Sequence, residues 1–260
     1  MSVAIITGAS SGIGAEFARQ IYSSGEVDEL WLIARRKERM EALGEELGAK
    51  YKVIEADLCT EAGIEAVRAA LLESAPSVRY LVSAAGFGDL GTYDELEEAQ
   101  VRRMIDLNIT ALVLITNMVI PYMERGGRII ELGSASAFTP LPAFNVYAST
   151  KSFVLHYTRA LNYEIKKNGI RATCFCPIWV DTEFIGKAAR HDRTEPKKYW
   201  PLLNCERAVR GCLKAARRGR ALYVTNWYAR LQHLLSKIAP SALGSSIWVG
   251  MLNKDITKER

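Results

Sequence analysis

The stretch Val3-Ala-Ile-Ile-Thr7-Gly8-Ala-Ser-Ser-Gly12-Ile-Gly14 decides the fold of this chain. A short run of apolar and β-branched residues reads as a buried strand, glycines follow it directly, and helical periodicity begins straight behind them. Glycines let a backbone approach a pyrophosphate, and a helix N-terminus behind them supplies free N–H groups and the positive end of a dipole. Strand, glycine turn and helix in this order predict a dinucleotide cradle built from Gly8, Ser10, Ser11, Gly12, Ile13 and Gly14. The spacing is T-G-x-x-x-G-x-G rather than G-x-G-x-x-G.

Outward from the cradle, apolar runs at 3–7, 30–34, 51–56, 80–84, 128–132, 171–176 and 222–225 alternate with helical patterns. That alternation predicts βαβ units and an α/β, doubly wound Rossmann-type fold, with a parallel seven-stranded sheet covered on both faces. Such sheets bind ligands beyond the carboxyl ends of their strands, where Gly8, Arg35, Asp57, Ala85, Ser134 and Pro177 all fall. No Pro/Gly/Ser-rich linker divides the 260 residues. One domain is expected over 1–225, with a substrate loop near 183–201, followed by an amphipathic C-terminal extension over 226–260.

Tyr147-Ala-Ser-Thr-Lys151 sets a Tyr and a Lys four residues apart, on one face of a helix. A phenol with its ordinary pKa near ~10 is a poor proton donor at neutral pH, and an adjacent ammonium favours the phenolate. Ser134 follows the apolar run 128–132 and Gly133, where a strand should end, and its hydroxyl is placed to orient a carbonyl against the tyrosine. The same register also suits an amphipathic core tyrosine with Lys151 snorkelling past it. The glycine cradle upstream tips the reading toward chemistry.

With both motifs in hand, the chain resembles the short-chain dehydrogenase/reductase family, NAD(P)-dependent oxidoreductases of alcohols and ketones. Thr7-Gly8-x3-Gly12-x-Gly14 matches the family's cofactor turn, Asp57-Leu58 its adenine-contacting pair, and Ser83-Ala84-Ala85-Gly86 its turn after the fourth strand. Asn108, Ser134, Tyr147 and Lys151 match its catalytic tetrad, and Pro177 with Val180 and Thr182 the segment beside the nicotinamide. The resemblance implies that Tyr147 protonates a carbonyl oxygen, Ser134 fixes that carbonyl, and Lys151 lowers the tyrosine pKa and holds the nicotinamide ribose. It also implies that Asn108 anchors a water linking Lys151 to solvent. Two positions depart from the pattern: Ser83 stands where the family has Asn, and Ile178 where it has Gly. Serine keeps the ability to hydrogen-bond a neighbouring strand. Ile178 resists positive φ and adds bulk near the nicotinamide.

Arg35-Arg36-Lys37 directly follows the second strand, where NAD-specific relatives hold an acid for the ribose hydroxyls; a guanidinium fork there suits a 2′-phosphate. NADP(H) is therefore expected over NAD(H), against the plainer use of these residues as a solvated helix start. The net charge of +5 is spread along the chain, no nucleic-acid module accompanies it, and Lys166-Lys167 and Arg217-Arg218-Gly-Arg220 read as basic helix ends. Cys174 and Cys176 point to one face of a strand and read as core thiols. The odd count of five cysteines and a first strand at residue 3, without a signal peptide, suggest a cytoplasmic protein. His156, His191 and His233 show no metal-ligand spacing, no metal is expected, and His156 is expected in packing or at an interface.

Substrate identity is expected in 88–93, 136–145 and 183–201. The apolar set Phe87, Leu90, Phe138, Leu141, Phe144, Phe184, Tyr199 and Trp200 suits a bulky hydrophobic carbonyl or alcohol such as a hydroxysteroid or ketosteroid, or a fatty acyl chain. A 3-oxoacyl thioester reductase would use the same tetrad and need cations at the pocket mouth, for which Lys187, Arg190, Arg193, Lys197 and Lys198 are available. A non-catalytic NADP-binding scaffold or sensor has little reason to keep all four side chains. The tail carries Trp227, Leu231, Leu234, Leu235, Ile238, Trp248 and Leu252, which must be covered by a lid position, by a homodimer or homotetramer contact, or by a membrane surface. The first two are expected ahead of the third, because basic residues do not dominate the polar face.

Overall fold

The computed structural model describes residues 1–188, 194–254 and 256. Seven strands form one sheet: β1 (Ser2–Thr7), β2 (Glu29–Ala34), β3 (Lys50–Glu55), β4 (Ser77–Ser83), β5 (Met123–Leu132), β6 (Arg171–Cys176) and β7 (Leu222–Val224). Their order is β3-β2-β1-β4-β5-β6-β7, every neighbouring pair is parallel, and the seven apolar runs all become strands.

Burial on both faces explains why these strands read as continuous apolar runs. Ala4, Ile6, Leu30 and Leu32 pack with Phe17 and Ile21 of α1 (Gly12–Ser23), Met40 of α2 (Lys37–Leu47) and Leu213 of α8 (Cys205–Arg217). The alternate residues Val3, Ile5, Trp31 and Ile33 pack with Val67 and Leu71 of α3 (Glu61–Ser74) and with Ile115 and Val119 of α5 (Leu112–Val119). Each Val, Leu, Ile, Phe or Met side chain among them, fully buried, contributes about 1.5–3 kcal/mol. At the sheet edge β3 buries only Ile54, and its sequence is correspondingly mixed.

Strand order reverses between β1 and β4, which opens a crevice at the carboxyl ends of the strands. Facing it, α4 (Glu98–Ile105) runs through a π turn at Asp106–Ala111 into α5. The stretch Glu98–Tyr122 is long and apolar enough to cross a membrane, yet Met104, Asn108, Ala111, Leu112, Ile115, Thr116 and Val119 along it are buried in the fold. Then α6 (Asn145–Glu164) brings Tyr147 and Lys151 to the same crevice. Lys166 and Lys167 close α6 through a 3-10 turn and Arg217 ends α8, as a helix dipole favours. His156 lies exposed on α6, so it takes no part in internal packing.

The C-terminal extension folds back over this end of the sheet. Asn226 caps α9 (Trp227–Leu235) through its side chain, and Arg230 Nε donates to the Val224 carbonyl at 3.2 Å. In α10 (Ser241–Gly250), Trp248 Nε1 donates to Pro142 O at 2.7 Å and Ser245 Oγ to Pro140 O at 2.9 Å. An antiparallel bridge between Pro196 and Leu252 joins the extension to the segment after α7 (Glu183–Ala188).

Candidate active site

The glycine turn closes as its sequence requires. Gly8 has φ +69°, and a Cβ on Gly14 would lie 2.3 Å from the Gly8 carbonyl oxygen, so neither position accepts a side chain without backbone movement. Ser11, at the N-cap of α1, makes no capping bond with its side chain, which leaves the first N–H groups of the helix to face the cleft. Gly12 lies against Thr182, where an added Cβ would come within 3.2 Å of the threonine side chain. A glycine turn, free helix amides and a loop drawn across them fit the pyrophosphate of a dinucleotide.

The four tetrad positions come together at the other end of the cleft. Asn108 is fully buried within the π turn; its Nδ2 donates to Phe87 O at 2.8 Å and Thr150 Oγ1 at 3.1 Å, and its Oδ1 accepts from Phe87 N at 3.1 Å. A Cβ on Gly86 would meet both Asn108 Oδ1, at 2.9 Å, and Lys151 Nζ, at 3.4 Å, so this glycine is what lets the two side chains converge. Lys151 Nζ donates to Leu132 O at 2.7 Å and sits 5.6 Å from the centre of the Tyr147 ring. Ser134 caps the short 3-10 helix Ala135–Phe138, its Oγ accepting from Ser136 N at 3.1 Å, and lies beside the Tyr147 side chain in the same cleft.

One expectation is corrected here. Burial pushes the Tyr147 phenol well above its ordinary range, and only the neighbouring Ser134 hydroxyl pulls it down. Lys151 does not lower it: the ammonium faces the Leu132 carbonyl, and burial brings the lysine itself down to about 8. The two departures from the family pattern also resolve. The Ser83 hydroxyl lies buried in register with Glu131 without closing a hydrogen bond of ordinary geometry; instead Thr7 Oγ1 accepts from Ala85 N at 3.1 Å and ties the fourth-strand turn to β1. Ile178 is not among the residues of positive φ and packs with Val224 and Phe138, so it imposes no backbone strain.

Glu131, one residue before Leu132, was not anticipated as special. It is fully buried on β5, an inner strand, its Oε1 accepts from Thr116 Oγ1 at 2.8 Å, and its Oε2 has no partner among the described residues. Burial raises its pKa from 4.5 to about 7, so the folded state disfavours the charged form. Stability is fully present below the unfolded pKa and falls as pH rises toward about 7. Glu131→Gln is therefore expected to stabilise the protein at pH 8, by up to about 3 kcal/mol, and to change much less at pH 5. Thermal melts of both proteins at the two pH values check this; a variant less stable than the parent at pH 8 contradicts it.

At the opposite end Arg36, rather than Arg35, engages the glycine turn. Its Nη2 donates to Ser11 Oγ at 2.7 Å and to Ser10 Oγ at 3.1 Å, while Arg35 is exposed at the cleft wall. Asp57 Oδ1 accepts from Cys59 N at 3.1 Å and Oδ2 from Arg103 Nη2 at 3.0 Å; against the cost of burial, these hold the carboxyl below its usual range. Leu58, Ala84, Ala85, Gly86, Pro177 and Val180 line the same cleft.

The cleft encloses about 1240 Å³. Of the expected substrate set, Phe87, Phe138, Leu141, Phe144, Phe184 and Trp200 line it; Leu90 is buried behind the wall, and Tyr199 stands edge-on to Trp179, 4.9 Å between centroids. Leu231, Leu235 and Trp248 of the tail line it, as a lid position requires; Trp179, Tyr228, Leu243 and Ile247 were not anticipated as walls, although the apolar stripe of the tail was a signal for the last three. Phe144 stacks on Tyr147 at 4.4 Å. Arg190, His191 and Arg193 and the side chain of Lys187 lie outside the described residues, and Lys197 Nζ donates to Gly250 O at 3.3 Å.

Glycine cradle, buried Tyr–Lys pair and strand-end serine on a doubly wound sheet define a nicotinamide-dependent oxidoreductase, and residues 2–193 match the family described as short chain dehydrogenase. The chain belongs to that family, whose members act on CH–OH groups with a nicotinamide cofactor. It is 34% identical over 188 residues to sulfoacetaldehyde reductase 2 of Chromohalobacter salexigens, covering 70% of this chain and 74% of that protein. It is 30% identical over 212 residues to a very-long-chain 3-oxoacyl-CoA reductase of Anas platyrhynchos, covering 75% and 65% respectively. Among solved structures, a short-chain dehydrogenase of Sphingobium yanoikuyae in complex with NADPH superposes with TM-score 0.77 at 28% identity, over 100% of this chain and 99% of that one.

Proposed function

We propose that the protein is an NADP(H)-dependent reductase of bulky hydrophobic ketones, and in reverse a dehydrogenase of the corresponding secondary alcohols. The observation that carries this reading is the position of Tyr147. It lies beside Ser134, where the glycine cradle meets an aromatic wall that includes Phe144, Trp179, Phe184 and Trp248. When bound, the cofactor supplies the hydride, and the protein aligns it.

Tyr147 donates its proton to the carbonyl oxygen, and Ser134 holds that oxygen against it. Lys151 Nζ, near Gly86, is placed to hold the nicotinamide ribose. The remaining lone pair of Asn108 Oδ1 and Lys151 Nζ approach the same point at Gly86, which gives a water the partners it needs to pass a proton inward. Arg36, Ser10 and Ser11 gather donors suited to a 2′-phosphate, and the NADPH complex of a relative supports that preference.

The relatives' named substrates range from sulfoacetaldehyde to a very-long-chain acyl thioester, so substrate size is read from the cleft. Its apolar walls, completed by Leu231, Leu235 and Ile247 of the C-terminal extension acting as a lid, favour a large apolar carbonyl. A panel of ketosteroids, 3-oxoacyl thioesters and small ketones, followed by loss of NADPH absorbance, tests this. Bulky ketones are expected to exceed small ones at least about tenfold in kcat/KM, the discrimination that a few buried methylenes give. Highest efficiency on small polar carbonyls or on thioesters contradicts it.

A further inference from the structure

Glu183 opens α7 and joins two parts of the cleft that no tetrad residue connects. Its Oε2 accepts from Arg36 Nη1 at 3.0 Å and its Oε1 accepts from Arg39 Nη1, across 147 residues of sequence in the first case. Arg36 is the same guanidinium that holds Ser10 and Ser11 of the glycine turn. The next residue, Phe184, lies 5.6 Å from the Tyr147 ring between centroids, and the previous one, Thr182, lies against Gly12. Three consecutive residues thus touch the phosphate-binding turn, the basic fork and the catalytic tyrosine.

We propose that Glu183 is a specificity-determining latch: its carboxylate competes with the 2′-phosphate for Arg36 and Arg39, so that NADP(H) binding releases the start of α7, which carries a wall of the substrate pocket. The inference rests on the NADP(H) reading above. Both partners of the latch are partly exposed, with side-chain exposures of 35% for Arg36 and 41% for Glu183. Exposed ion pairs of this kind are weak. A phosphate monoester carries about −1.5 to −2 charges at neutral pH and accepts several charge-assisted hydrogen bonds, so it outcompetes a single carboxylate for the same fork. NADH lacks that group and leaves the latch closed.

The test measures binding, by calorimetry on the full chain, of NADPH, NADH, 2′,5′-ADP and 5′-ADP to the parent, Glu183→Gln and Arg36→Ser. Glu183→Gln should tighten NADPH and 2′,5′-ADP about threefold or more while leaving NADH and 5′-ADP within error. Arg36→Ser should weaken NADPH and 2′,5′-ADP at least about tenfold more than it weakens NADH and 5′-ADP. If Glu183→Gln leaves the phosphorylated ligands unchanged, or tightens all four equally, the latch is overturned while the cofactor reading stands. If the parent binds NADH as tightly as NADPH and Arg36→Ser moves neither, the cofactor reading itself fails and the latch with it.

Discussion

Replacing Tyr147 by Phe should lower kcat for ketone reduction at least about a hundredfold, the range expected when a general acid is removed. NADPH affinity should barely change. The ring stacks on Phe144 and lies tilted against Phe184, so Phe at this position keeps its packing and loses only the hydroxyl beside Ser134. The buried phenol stays protonated across neutral pH, which suits a donor in the reduction direction. Stopped-flow measurement of hydride transfer together with NADPH titration separates the two effects. Activity within threefold of the parent removes Tyr147 from the mechanism, and loss of NADPH binding gives it a structural role instead.

Gly14→Ala should weaken NADPH binding at least about tenfold. The added Cβ would lie 2.3 Å from the Gly8 carbonyl oxygen and 3.2 Å from Ala9 N, and both obstacles are backbone, so no side-chain rotation relieves them. The turn must open, and the N–H groups of α1 then lose their aim at a pyrophosphate. Gly250→Ala is the matched control: nothing lies within 4 Å of its added Cβ, and Ala suits a helix better than Gly. Calorimetry with NADPH and a thermal melt of each variant check both. A Gly14→Ala protein with parental affinity would show that the turn does not carry the phosphates.

The inner strands of the sheet are legible because they are buried on both faces or lead into a glycine turn, and both leave marks in adjacent residues: the apolar run 171–176 coincides with β6, and those of β1, β2 and β4 match to within a few residues. The tetrad positions were legible for a related reason, since Tyr147 and Lys151 share one helix and Ser134 follows one strand end. The π turn at Asp106–Ala111 left no such mark, because a change of hydrogen-bond register is not a change of residue pattern. Glu131 is visible as a lone carboxylate inside an apolar run, and its burial follows only from the place of β5 inside the sheet, between β4 and β6. The pairing of Arg36 with Glu183 depends on tertiary geometry over 147 residues, which neither local sequence discloses. The Tyr147 pKa was misjudged because helical spacing fixes which face two side chains share but not where an ammonium finds its carbonyl.

Transfer of label from the cofactor tests the central claim most directly. The protein is incubated with NADPH deuterated at C4 and a bulky ketone, and the product is weighed by mass spectrometry. The account predicts a secondary alcohol carrying deuterium on the former carbonyl carbon, formed one for one with NADP+, and its near disappearance in Tyr147→Phe. An alcohol without the label, or NADPH left unconsumed beside every bulky ketone offered, would contradict it.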